Sequence, residues 1–141
     1  MKDTVIAIPT YNEAATLAKQ IQKLRRNVPQ VDLLIIDDNS PDGTGQIADE
    51  IAAKDRGVRV LHREEKAGLG PAYLAAFSWA QQAGYTWVVQ MDADGSHRVR
   101  DLHKLLARRF WPSKPDLVIG SRWIRGGRLE GWSRMRGALS R

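Results

Sequence analysis

Trp87-Val88-Val89-Gln90-Met91-Asp92-Ala93-Asp94 is an apolar run that ends in two carboxylates one residue apart. Its length and its Val content predict a buried strand over 85–91. Residues i and i+2 of a strand share a face, so Asp92 and Asp94 are expected to point together from its carboxyl end. Similar short runs, rich in Val, Ile and Leu, recur at 4–9, 31–37, 58–62 and 117–120 and predict four more strands. Between them the pattern changes to helical, at about 13–26, 43–54, 70–83 and 99–110. The first helix places Leu17, Ala18, Ile21 and Leu24 on one face, and the second does the same with Ile47, Ala48 and Ile51. Strand–helix alternation predicts an α/β fold, Rossmann-like, with a mostly parallel sheet, right-handed crossovers and helices on both faces. Trp79 and Trp87 are expected in its core. Ligands of such sheets bind beyond the carboxyl ends of the strands, beside a switch in strand order.

The chain has 141 residues, the length of one domain with a sizeable core, and 43% of them are hydrophobic against 27% charged. No Cys is present, which excludes disulfides, zinc–thiolate sites and Cys nucleophiles and suits a reducing compartment. Met1-Lys2-Asp3 leads straight into the first strand with no signal peptide, and no run approaches the roughly 20 apolar residues of a membrane span. A cytoplasmic location is therefore expected. The net charge of +6 is unevenly placed: residues 1–97 hold 10 Lys/Arg against 13 Asp/Glu, whereas residues 98–141 hold 12 against 3. Such a block points to an anionic partner, either a phosphorylated ligand or an acidic membrane surface. No nucleic-acid-binding motif accompanies the charge, so nucleic acid is not an expected partner. Trp111, Trp123 and Trp132 lie inside the basic block, where core packing and a membrane interface are both open.

Two like charges held together call for a cation. Hard carboxylate oxygens suit Mg²⁺ or Mn²⁺, which keep waters and substrate phosphates in their remaining positions. Asp92 and Asp94 thus read as a metal–diphosphate site, with a solvated acidic turn as the alternative. After the first strand comes Pro9-Thr10-Tyr11-Asn12-Glu13, where an NAD-binding fold would need G-x-G-x-x-G. Thr10 and Glu13 have the spacing of a capping box. Tyr11 also offers a flat ring to a nucleobase, and Glu13 an acceptor for a base edge or ribose.

After the second strand, Ser40 and Pro41 are expected as N-cap and first residue of the next helix, leaving the Asp37-Asp38 pair for a ribose or base donor. Gly68 and Gly70 allow either close backbone approach to a ligand or a tight turn. Arg122, after the fifth run, places a guanidinium suited to phosphate on the same rim. Trp132, Arg136 and Ser140 share a helical face at spacings of four. His62 and His103 are expected at the surface or in packing, and His97 lies close enough to the carboxylate pair to touch it.

Taken in order, P-T-Y-N-E, I-I-D-D-x-S-P-D-G-T, G-L-G-x-A-Y, M-D-A-D, G-S-R and W-x-x-x-R-x-x-x-S-R resemble the family-2 inverting glycosyltransferases, above all the dolichol- and polyprenyl-phosphate mannose synthases. The match runs from residue 5 to residue 141. The resemblance implies a GT-A type nucleotide-diphospho-sugar transferase fold. It implies a nucleoside pocket for guanosine formed by Pro9, Tyr11, Glu13, Ile36 and Asp38, with Asp92, Ala93 and Asp94 holding Mg²⁺ or Mn²⁺ and the diphosphate. Arg122 would reach the donor phosphates or the lipid phosphate, Arg136 the acceptor side, and Ser96 falls where relatives place a further metal ligand. The catalytic set so implied is Asp94, Arg122 and Arg136.

The implied reaction is inverting transfer of mannose from GDP-mannose to a polyprenyl monophosphate, at the inner face of a membrane to which the enzyme is peripheral, with or without an anchoring partner. Family members normally continue beyond the point matching Arg141, so the chain is expected to be the nucleotide-binding part of a catalytic domain, cut at the acceptor helix. Three alternatives stand beside this one: a UDP-sugar donor, a binding fragment that a partner completes, and a haloacid-dehalogenase-type phosphatase. The last resembles Asp92-Ala93-Asp94-Gly95-Ser96, but only Asp101, Asp116 and Glu130 supply acids after it.

Overall fold

Four strands, β1 (Thr4–Thr10), β2 (Asp32–Asp37), β3 (Val58–His62) and β4 (Trp87–Gln90), form one parallel sheet in the order β3-β2-β1-β4. The structure, a computed structural model, describes residues 3–113 and 115–121. The chain divides into two compact units, Met1–Asp101 and Leu102–Arg141, and the sheet lies in the first.

β1 is flanked on both edges and covered on both faces, which is why its Val5-Ile6-Ala7-Ile8 run shows no polar alternation and is fully buried. Val5 and Ala7 pack with Leu34, Ile36 and the small residues Ala72, Ala76 and Ala80 of helix α3 (Leu69–Gln82). Alanines four apart give that helix a flat stripe, which lets it approach the sheet closely. Ile6, Ile8, Leu33 and Ile35 alternate to the other face and are also fully buried. Right-handed crossovers from β1 to β2 to β3 put helices α1 (Leu17–Asn27) and α2 (Thr44–Lys54) on that second face, where they contact each other. Leu17, Ile21 and Leu24 are α1's buried stripe, and Arg25 at its end reaches Asp55 at 2.7 Å. Trp79 is partly buried and stacks on Tyr85 at 5.8 Å, while Trp87, on the edge strand, is only half-buried.

Four expectations need correction. The first helix begins at Leu17, not 13, because Asn12 takes a left-handed conformation (φ 59°) and a turn intervenes. Thr10 is no N-cap: it completes β1, and its hydroxyl donates to the Ile36 carbonyl at 3.1 Å. Helix α4 (Val99–Ala107) tightens into a 3-10 turn at Arg108–Phe110 instead of running to 110. Residues 117–120 form no strand among the described residues: no ladder pairs them, and Leu117 and Ile119 are 74% and 76% exposed. An apolar run becomes a strand only where a neighbour satisfies its backbone. In the second unit Trp111 is half-exposed, with the Arg108 guanidinium 3.8 Å above its ring.

Candidate functional site

The chain moves β1–β2–β3 in one direction and then returns past β1 to add β4, so the switch in strand order falls between β1 and β4. Pro9 helps to open this point. The Ala7 carbonyl accepts from Met91 N–H at 3.1 Å, so Ala7 faces β4 and so does Pro9 two residues on. The Pro9 nitrogen has no hydrogen to give, and the ladder between β1 and β4 ends at the pair Ala7–Gln90. The pairing of the two strands ends there, and their polar loops follow.

The loop after β1 is tied to the loop after β2. Three successive amides donate across: Asn12 to Ser40 Oγ at 3.1 Å, Glu13 to Thr44 Oγ1 at 2.9 Å and Ala14 to Asp42 Oδ2 at 3.0 Å. Ser40 donates in turn to Asp37 at 2.6 Å, so it is not the N-cap of α2, which starts at Thr44 after Gly43 in a left-handed conformation. Gly45 brings α2's first turn against Asp37, where a Cβ would lie 2.7 Å from the carboxylate. Asp42 is held below its ordinary value of 3.8, first by the Thr44 hydroxyl and next by the Ala14 amide. Asp37 is therefore engaged in local structure.

Asp38 is 5% exposed, and both its oxygens accept from Arg63 Nη1, at 2.9 and 3.1 Å. Asn39, another left-handed residue, donates to the Glu64 carbonyl at 3.0 Å, and the Lys66 ammonium sits 3.9 Å above the Tyr11 ring. The loop after β3 thus reaches two of the groups expected to meet a nucleoside, Asp38 and Tyr11. Tyr11 is 37% exposed, and Glu13 is half-buried, accepting from the Thr16 hydroxyl at 2.7 Å. Ile36 contributes no side-chain surface: it lies in the sheet's core at 0% exposure, and its carbonyl is taken by Thr10.

β4 ends at Gln90, so Asp92, Ala93 and Asp94 occupy a turn, not a strand face, and Gly95 closes it at φ 76°. Ala93 is buried under the turn while the two carboxylates stay open to solvent. Asp92 N–H donates to His97 Nδ1 at 3.2 Å, and His97 Nε2 lies 3.7 Å from the Asp92 carboxylate. Asp94 accepts the Ser96 amide at 2.8 Å and also its hydroxyl. Those bonds, with the nearby His97, hold the Asp94 carboxyl below its ordinary value. Tyr73, from the G-L-G-x-A-Y string, has its hydroxyl pushed up to about 12 by burial and then by the charge and hydrogen bond of Asp92.

Among the described residues no three His, Cys, Asp or Glu side chains cluster as a closed metal site. Two carboxylates on an open turn suit a hard cation that fills its shell with waters and substrate phosphates, so Asp92 and Asp94 fit Mg²⁺ or Mn²⁺. Ser96 directs its donors to Asp94.

Pro9, Tyr11, Glu13, Asp38, Asp92 and Asp94 all lie on or beside the carboxyl-end loops. Arg122, Arg136 and the Trp132–Ser140 helix lie outside the described residues. Arg63, Lys66 and Tyr73 were not foreseen in these contacts. The end-of-strand rule, applied to the third strand, would have singled out the first two.

A parallel sheet in this order, with aromatic and acidic loops at its switch point, has the architecture of the GT-A glycosyltransferases. The chain belongs to the glycosyl transferase family 2, whose family model matches residues 5–140. It is 47% identical over 139 residues to a polyprenol monophosphomannose synthase of Mycolicibacterium smegmatis, covering 98% of this chain and 52% of that protein. It is 49% identical over 133 residues to an undecaprenyl-phosphate mannosyltransferase of Micrococcus luteus, covering 94% of this chain and 54% of that one. The chain thus spans about half the length of these relatives. Among solved structures, the fold matches the mannosyltransferase PcManGT from Pyrobaculum calidifontis in complex with GDP-Man and Mn²⁺, with TM-score 0.64 and 22% identity over 78% of this chain and 33% of that one. It also matches S. aureus TarS 1-349, with TM-score 0.61 and 24% identity over 77% of this chain and 32% of that one.

Proposed function

We propose that this chain is the nucleotide-sugar-binding part of the catalytic domain of a polyprenyl-phosphate mannosyltransferase, one that moves mannose from GDP-mannose to a polyprenyl monophosphate with inversion. One observation carries the proposal. The Tyr11–Glu13 loop and the Asp92–Asp94 turn flank the β1–β4 switch point, in a chain 47% and 49% identical to relatives with such names.

Tyr11 would stack on the base, while Glu13 and Asp38 would accept hydrogen bonds from the nucleoside. Asp92 and Asp94 would hold Mg²⁺ or Mn²⁺, which supplies charge neutralisation to the leaving diphosphate. His97 and Ser96 would keep the two carboxylates in place for it. The nucleophile is an oxygen of the lipid monophosphate, with a second pKa of about 6 by analogy with phosphoserine, so it is largely ionised without a protein base. Its attack forms the bond to the anomeric carbon from the face opposite the diphosphate, the bond to the diphosphate oxygen breaks, and GDP leaves. Arg122 and Arg136 are assigned to the phosphates of donor and acceptor.

No helix among the described residues is long and apolar enough to cross a membrane. The basic block of residues 98–141 supports peripheral binding at an anionic leaflet, where each Lys or Arg near the surface contributes about 1 kcal/mol. A membrane-anchoring partner belongs to the same proposal.

Titration of the chain with GDP and UDP, each with Mn²⁺ and again with EDTA, tests the donor site. Metal-dependent binding that favours GDP is expected. Preference for UDP would replace the donor, and absence of binding to either would overturn the site. Transfer is measured on this chain and on one extended to its relatives' length.

A further inference from the structure

The string Asp37–Thr44 holds more hydrogen-bonding groups than the start of α2 needs. Asp42 already accepts from the Thr44 amide at 3.0 Å, which gives the first amide of that helix its partner. Three further bonds reach 28 to 31 residues back, to the loop after β1. There the amides of Asn12, Glu13 and Ala14 follow a strand end and precede a helix that begins only at Leu17, so neither element supplies their acceptors. Each finds one on the neighbouring loop, and two of those acceptors are hydroxyls whose own protons are committed to carboxylates. Ser40 donates to Asp37, and Thr44 to Asp42. A hydroxyl whose hydrogen is fixed on a carboxylate must present its lone pairs elsewhere, and here it presents them to the amides. Thr44 is 0% exposed and Ser40 9%, so water does not substitute readily.

We propose that Ser40, Asp42 and Thr44 are positioning residues that hold the backbone of residues 12–14 in shape, so that Tyr11 and Glu13 are presented to the nucleotide before any ligand arrives. The loop after β1 is then assembled by the loop after β2, and the left-handed turn at Asn12 is kept in place by the bond on its own amide. The effect on binding rests on the nucleotide function proposed above; the effect on the backbone does not.

Hydrogen exchange on the ligand-free chain, combined with titration by GDP and Mn²⁺, tests this. Thr44→Val keeps the side chain's shape and leaves α2's amide bond to Asp42 available, but removes the acceptor for Glu13. Faster exchange at Glu13 is expected, with α2 and the sheet still protected. The dissociation constant for GDP is expected to rise roughly five- to tenfold, as for a lost buried hydrogen bond. Thr44→Ser restores both, and Ser40→Ala does the same at Asn12 as Thr44→Val does at Glu13. Unchanged exchange at residues 12–14 in both Thr44→Val and Ser40→Ala overturns the proposal, as does weakened GDP binding that Thr44→Ser fails to rescue. If the parent chain binds no GDP, the donor-site function fails while exchange still decides the clamp.

Discussion

The two sides of the β1–β4 switch point are built in opposite ways. The loop after β1 is fixed by three side chains 28 to 31 residues away in sequence, two of them buried. The turn after β4 is held by partners two and five residues away, Ser96 on Asp94 and His97 on Asp92, and its carboxylates face solvent. One side is preassembled scaffold, and the other is a short local hairpin of charge. The contrast fits the division of labour proposed here. A base and ribose need a fixed frame, whereas a metal–diphosphate group brings its own charge and completes the turn that receives it.

The two sides should therefore fail differently. The largest effect is expected from Arg63→Ala, which leaves the Asp38 carboxylate buried without its partner on the preassembled side. A loss of about 3 kcal/mol in urea-denaturation stability is expected, in line with breaking a buried ion pair. A loss below half that would mean that Asp38 finds water or another donor, and that this side is less rigid than its bonds suggest. Asp92→Asn tests the other side. Nucleotide binding in Mn²⁺ is expected to weaken about 100-fold, the scale of losing a metal-site group, with the denaturation midpoint barely moved. A clear fall in stability would show the turn to be structural.

The smallest effect is a matter of pH. The Asp42 carboxyl is depressed below its ordinary 3.8, so its contribution is complete above that value and is lost as pH falls through the lowered one. The Ala14 amide, corrected for its intrinsic exchange rate, should lose protection below pH 3.8, while amides of α2's last turn keep theirs. Simultaneous loss at both would point to global acid unfolding and erase the contrast.

Much of the frame was legible in the chain itself. Parallel strands buried on both faces read as near-continuous apolar runs, as at 4–9 and 31–37, and these runs and the half-buried one at 58–62 fall within a residue or so of β1, β2 and β3. The run at 117–120 looks the same in sequence, yet forms no strand among the described residues, because pairing is a property of the neighbour as well as the run. Tyr11, Glu13, Asp38, Asp92 and Asp94 could be placed at strand ends from the sequence, and they lie in the segments that follow β1, β2 and β4. Ile36 came from the resemblance alone, and its place in the core leaves it no side-chain surface to offer.

By itself, then, the sequence determined the order of elements, the parallel sheet and the strand ends at which polar chemistry gathers, because periodicity and burial act over short stretches of chain. Tertiary structure decided what each polar group does there. Ser40 reads as a helix-start residue until the chain folds, and only then do its hydroxyl and that of Thr44 meet amides far back in sequence. Arg63 and Lys66 are two cations on a loop until the sheet's order brings that loop over Asp38 and Tyr11. Hydrogen bonds and ion pairs act over about 3 Å, and which groups come that close is set by strand order, which no local pattern encodes.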